Sequence, residues 1–376
     1  MNPAITRLKN LVKRVPPGLV GMLVFVVMIE TYIGYHKYNY TNTATLSWSL
    51  SDNSAKSDAR SAEVLCLGDS LVKHGMISEV LEEKLGKRVH NLSICASSAP
   101  ATYYIYKHAI AHGSHPKLII VDYMPDLLTG SPRHASPCWP EILNYGELVE
   151  LSRAARDFGF FVLMARDRLL PSMRNRFEIQ TNIVSALKGK VDPLYLTNLA
   201  LSRNWAVHRG AEYTPDNPAF TGQVSEEDHY KLMSDTFWCN KVNRAYIHKF
   251  MDEAGKHGTK VYWLMPPVSP GIQERRVKSG ADAKYTDFVK EVSSKHKHVT
   301  VIDARRSKFD YRQFVDPVHL NGRGGVALST EVAEAIQAGK NEWVWLPRFR
   351  SRPSSLKLED VDQSKMAVGA SGSVYK

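Results

Sequence analysis

Metal-binding signatures are missing from this chain. Its 14 histidines and four cysteines contain no HExxH, no CxxC and no paired ligand spacing, so neither a metal nor a cofactor is expected. No internal repeat is present, which argues against a solenoid. The first sixteen residues carry Arg7, Lys9, Lys13 and Arg14 and not one acid. Although the net charge is +11, the remaining basic residues are dispersed. They form no stripe with interleaved aromatics, so a nucleic-acid partner is not expected. Among the cysteines, Cys66 lies inside an apolar run and reads as a small core residue. Cys138 and Cys239, each beside a tryptophan, would pair only if the domain lies outside the cytoplasm, and the sequence leaves that pairing open.

What is present begins with one apolar stretch. Residues 15–29 are uncharged, Glu30 interrupts, and Thr31 to Tyr35 continue. Together, residues 15–35 reach the roughly 20 residues that a spanning helix needs. The tyrosines and Glu30 stand near the outer end, and no small-x-small cleavage site follows. The basic residues before it place 1–14 in the cytoplasm and the bulk of the chain outside. The expected organisation is therefore a cytoplasmic basic segment (1–14), a single-pass signal-anchor (15–35), a polar Ser/Thr/Asn/Asp-rich linker (36–61), a folded body (62–347) and a flexible tail (348–376).

Within the body, five short apolar runs alternate with helix-patterned stretches. The runs are Glu63–Leu67, Arg88–Leu92, Leu118–Val121, Thr259–Leu264 and His298–Ile302. This alternation predicts an α/β domain with a five-stranded parallel sheet covered on both faces, its ligands beyond the carboxyl ends of the strands. Over a hundred residues separate the third and fourth runs, too many for one crossover, so 127–240 is read as a helical insertion, either a lid or packing alone.

Two segments carry chemistry. Gly68-Asp69-Ser70 follows the first strand and precedes a helix, which puts the Ser70 hydroxyl in the ligand crevice and its N–H at a helix N-terminus. Asp316-Pro317-Val318-His319 follows the fifth strand. There a carboxylate three residues before a histidine can accept from one imidazole nitrogen and leave the other to take a proton from Ser70. His74, one turn after Ser70, reads as an exposed helix residue.

With these two blocks the chain resembles the SGNH (GDSL-type) hydrolase superfamily. Leu67-Gly68-Asp69-Ser70-Leu71 matches its first block, and Asp316 to His319, continued by Leu320-Asn321-Gly322, matches its last. The resemblance implies a flavodoxin-like three-layer α/β/α domain over 62–347 with Ser70, His319 and Asp316 as a catalytic triad. It implies esterase, lipase or carbohydrate O-acyl chemistry on a small-molecule or glycan ester. Two departures stand out. Ala96 or Ser97 occupies the place of the family's oxyanion glycine, where either can still offer an N–H beside that of Ser70. Pro125 stands where the third block has its asparagine donor, with Tyr123 and Asn321 as candidate substitutes. An ester hydrolase is expected. The alternatives are an O-acyltransferase acting on a cell-surface polysaccharide and a non-catalytic binding module of the same fold.

Overall fold

The computed structural model describes residues 16–225, 236–340 and 343–346. The expected basic segment 1–14 and tail 348–376 lie outside the described residues.

Six parallel strands form one sheet in the order β2-β1-β3-β4-β5-β6. They are β1 (Val64–Leu67), β2 (Val89–Asn91), β3 (Leu118–Val121), β4 (Lys260–Met265), β5 (Val299–Asp303) and β6 (Val344–Trp345). The chain is thus a mixed α/β protein with a parallel sheet, but with six strands where five were expected. The additional strand has two residues, with Val344 opposite Ile302 and Trp345 opposite Asp303. That is too short to leave an apolar run in the sequence.

Strand residues alternate between two cores, as pleating requires. Leu65, Leu67, Ile119, Val121 and Trp263 face one side. Val64, Cys66, Ile120 and Leu264 face the other. The first face is covered by α2 (Thr43–Lys56), α5 (Ala99–Ala111), α11 (Lys241–Lys256) and α13 (Ala281–Lys295). The second is covered by α3 (Ser70–Gly75), α4 (Ser78–Leu85) and α14 (Gly322–Gln337). Because β1 lies between β2 and β3, the chain turns to opposite sides after it, and the crevice opens there.

Helix α2 corrects the expected linker 36–61. Asn42 caps it, its Oδ1 accepting from Thr45 N at 2.9 Å, and Trp48 is fully buried against Trp139. Its polar look misleads because two of its buried hydroxyls find partners on the core. Ser51 Oγ donates to Leu92 O at 2.5 Å, and Ser54 Oγ lies 2.6 Å from His90 Nε2. Preceding it, α1 (Pro17–Tyr35) is long and apolar enough to cross a membrane and is the candidate single span.

Between β3 and β4 the described residues are largely helical: α6 (Pro125–Thr129), α7 (Tyr145–Ala155), α8 (Phe158–Leu169), α9 (Arg176–Leu187) and α10 (Pro193–Val207), with shorter turns between. This insertion is not uniform. Trp139, Leu148, Leu151, Phe160 and Met164 belong to the core, whereas α9 buries no residue. Cys138 and Cys239 are free thiols, and burial pushes both up to about 12.

Candidate active site

The turn after β1 is built by the residues around Ser70. Gly68 has φ +122° and lies so close to Asp122 that a Cβ there would meet its carbonyl oxygen at 2.7 Å, besides colliding with its Oδ1. This close approach lets Asp122 Oδ1 accept from Asp69 N at 3.0 Å. Asp69 in turn caps α3, its Oδ1 accepting from Leu71 N at 2.8 Å, and its Oδ2 accepts from Met124 N at 2.7 Å. Both carboxyl groups are buried. Burial and the neighbouring Asp69 charge push Asp122 well above the usual carboxylate range. Burial also raises Asp69, opposed in part by the two backbone donors, Leu71 N and Met124 N, that favour its ionised form.

Across the crevice, the loop after β5 brings up the other two residues. Asp316 Oδ1 accepts from Val318 N and His319 N, each at 2.8 Å, which folds the four residues into a tight turn. Asp316 Oδ2 lies 2.6 Å from His319 Nδ1, and His319 Nε2 lies 2.7 Å from Ser70 Oγ. Burial works against a charge on either group. For Asp316, the His319 charge and hydrogen bond, with the two backbone donors, win and hold the carboxyl far below its usual range. For His319, the Asp316 carboxylate, followed by the charges of Asp69 and Glu212, wins and raises the imidazole. A hydroxyl, a base with raised proton affinity and an orienting carboxylate thus stand in one hydrogen-bonded line.

The loop after β2 reaches the same turn. Leu92 N donates to Cys66 O at 2.7 Å and Ile94 N to Gly68 O at 3.1 Å, so the start of this loop runs alongside the end of β1 and Gly68. Ala96 sits in left-handed backbone with φ 54°, a conformation that favours glycine. Ser97 is buried, with its Oγ donating to Ser98 O at 3.2 Å. Helix α2 braces this loop, for Trp48 Nε1 donates to Cys95 O at 2.8 Å.

Neither candidate substitute for the missing asparagine is placed as a donor to Ser70. Asn321 caps α14, and its Nδ2 donates to Asp216 Oδ1 and Arg312 O, each at 2.8 Å. Tyr123 is buried against Trp263, and with Leu71 it lines the cavity beside the turn after β1. Pro125 opens α6, where a missing N–H costs nothing. That cavity, lined also by Met124, Pro125, Phe237, Arg276 and Tyr285, adjoins the turn that carries Ser70, although Ser70 itself does not line it.

His74 is a correction as well. It is buried, with its ring 4.8 Å from that of His319 and its Nδ1 3.0 Å from Thr214 Oγ1. Burial, with the His319 charge, brings it down to about 4 against the pull of Glu212, so it is neutral at pH 7. Lys73 is fully buried too, its Nζ 4.0 Å over the Trp205 ring and 3.5 Å from Gly210 O. These residues, like Glu212, were hidden because their partners come from the returning arm of the insertion. That arm is stitched over the site. Asn91 N donates to Arg209 O at 2.9 Å, Glu212 N to Lys73 O at 2.9 Å, and Asn217 Nδ2 to Val315 O at 2.8 Å. Among the described residues, no group of three or more His, Cys, Asp and Glu side chains is placed to hold a metal ion.

Fold and site together describe an α/β protein with a parallel sheet and a polar crevice at the carboxyl ends of its strands. A family described as "Protein of unknown function (DUF1574)" matches residues 22–324, well over half of the chain, and the chain belongs to that family. No curated protein matches it.

Proposed function

We propose that this chain is a serine ester hydrolase of the SGNH type, anchored by α1 with its folded domain outside the cytoplasm, acting on an ester or an O-acylated carbohydrate. The observation that carries the reading is the continuous line from Ser70 Oγ through His319 to Asp316, at 2.7 and 2.6 Å. In the first half-reaction Ser70 Oγ attacks the ester carbonyl while His319 Nε2 takes its proton. Asp316 holds the imidazolium. The oxyanion is stabilised by the N–H groups of Ser70 and of Ala96, whose left-handed backbone suits the place of the family's glycine. Collapse breaks the ester C–O bond, and the leaving alkoxide takes the proton from His319. Water, deprotonated by His319, then attacks the acyl carbon and frees Ser70 and the acid. A sugar hydroxyl entering in place of water would make the same chain an O-acyltransferase.

The test is labelling of the full chain by a fluorophosphonate probe, beside Ser70→Ala and His319→Ala. The full chain is required because α2, outside 62–347, forms part of the core. Labelling lost in both variants supports the hydrolase reading. No labelling of a folded wild-type chain refutes it and favours the binding module, with Pro125 as the reason. Once labelling is established, competition of a sugar hydroxyl against water for the acyl group separates hydrolase from transferase.

A further inference from the structure

We propose that the exposed apolar face of the insertion, on α8, α9 and the start of α10, lies in the surface of an anionic lipid bilayer beside the point where α1 leaves it. Outside α1, eleven of the fifteen exposed large hydrophobic residues among the described ones fall between 158 and 196. Phe158 is 76 % exposed, Phe177 63 % and Leu187 83 %. Scattered apolar residues on a surface need no explanation, but a concentration of this kind marks an interaction site. Helix α9 makes the point most sharply. It spans twelve residues and buries none of them, whereas a helix of that length is marginal in water without an apolar partner.

Two observations identify the occupant. The first is charge. Arg176, Lys188 and Lys190 are exposed around this face, while of the three acids between 158 and 196 Asp167 and Asp192 are buried and Glu178, on α9, is half-buried. An apolar face rimmed by exposed cations suits a layer of anionic headgroups over acyl chains. A second copy of this chain would instead bring like charges together.

The second observation is continuity with the candidate span. The turn Pro171–Arg174 joins α8 to α9, and the outer end of α1 rests on it. Ser172 N donates to Glu30 Oε2 at 2.8 Å, the Ser172 hydroxyl also binds Glu30, and Pro171 packs on Gly34. Just beyond α1, Glu141 receives Lys37 at 2.6 Å and Arg174 at 2.7 Å. The apolar face therefore begins where the span emerges. Glu30, the charge that interrupts the apolar stretch in the sequence, pairs with the insertion. The proposal rests on α1 being a span and not on the chemistry of Ser70.

The experiment places an environment-sensitive nitrobenzoxadiazole dye on single added cysteines in the full chain, reconstituted in nanodiscs of mixed phosphatidylglycerol and phosphatidylcholine. The added cysteines are Phe25→Cys in α1, Phe177→Cys and Leu187→Cys on the proposed face, and Val277→Cys, exposed on α12 (Pro270–Lys278), as the aqueous control. Labelling of the parent chain sets the background of its own four cysteines. A nitroxide-bearing lipid is expected to quench the dye at 25, 177 and 187 by about twofold or more while sparing 277. Lys188→Glu with Lys190→Glu is expected to weaken quenching at 187. Quenching at 25 with none at 177 and 187 overturns the proposal while leaving the span in place. No quenching at 25 overturns both. A blue-shifted dye at 177 and 187 that lipid nitroxide does not quench assigns the face to a second copy and also overturns it.

Discussion

The sharpest consequence of the site is what Asp316→Asn does to the pH profile of probe labelling. In the wild type, His319 must be neutral to take the Ser70 proton, so labelling rises with pH through the His319 titration. Asp316 places that titration above the ordinary histidine range by opposing the effect of burial. With asparagine there, burial is no longer opposed by this carboxylate, and the midpoint must move to lower pH. The plateau falls at the same time. The amide oxygen can still accept from Val318 N and His319 N, but its NH2 then faces His319 Nδ1 and favours the tautomer with the proton on Nε2, where a base needs a lone pair. A hydrogen bond to a charged group contributes about 1.5–3 kcal/mol. Because the Asp316 side chain is 42 % exposed and so screened, the lower end applies, and the plateau should drop by roughly tenfold. The assay is the second-order rate of fluorophosphonate labelling between pH 5 and pH 9 (a range about the ordinary histidine pKa). A lower plateau with an unchanged or alkaline-shifted midpoint would refute the argument that Asp316 sets the proton affinity of His319.

Gly68→Ala adds a Cβ against the Asp122 backbone at a φ of +122°; it should lower stability in urea by about 2 kcal/mol or more and abolish labelling, and a stable, labelled variant would sink the role given to this close approach. Trp48→Phe keeps an aromatic ring against Trp139 but strands the Cys95 carbonyl. A loss of about 1–3 kcal/mol should appear in urea denaturation, with slower labelling at temperatures where the variant is fully folded, while unchanged labelling would mean α2 does not brace the oxyanion loop. The buried line Asp52–His108–Glu147, at 2.6 and 3.1 Å, gives stability its own pH window. Burial opposes both charges, but the hydrogen-bonded partners win, raising His108 and lowering Glu147 to about 2. The Glu147 contribution is present above its unfolded pKa of about 4.3 and is lost as pH falls, while that of His108 is full below about 6.5 and is lost as pH rises through its raised value. His108→Gln should therefore flatten the alkaline fall of the urea midpoint, and an unaltered slope would count against this network.

The first five strands were legible because each is an apolar run flanked by helix patterns, and the segments holding Ser70 and Asp316–His319 because one directly follows β1 and the other is a compact block in the loop between β5 and the last helix. The two-residue β6 leaves no such run. Helix α2 was misread because hydroxyl-rich segments usually face water. Here Ser51 and Ser54 are buried, with partners on β2 and the loop that follows it, and no local pattern announces a partner tens of residues away. His74 was misread, and Lys73 passed unremarked, for a related reason. Their surroundings are Thr214, Glu212, Trp205 and Gly210, all contributed by an insertion whose return path the sequence does not specify.

The departure at Pro125 takes on a different meaning once Asp69 is included. Asp69 Oδ2 already takes the Met124 N–H, so that donor of the loop after β3 holds the turn carrying Ser70 and is not free for a ligand. A proline immediately after Met124 fits that assignment. It starts α6 and leaves Met124 in the extended backbone that residues before proline prefer. On the proposed reading the oxyanion donor comes from the loop after β2, which is held by Trp48 on α2 and by the hydrogen bond to Gly68. A site with fewer donors depends more on how firmly each is held. On this reasoning, loosening the 92–98 loop should slow labelling of this chain, and Trp48→Phe is the variant that measures the loss.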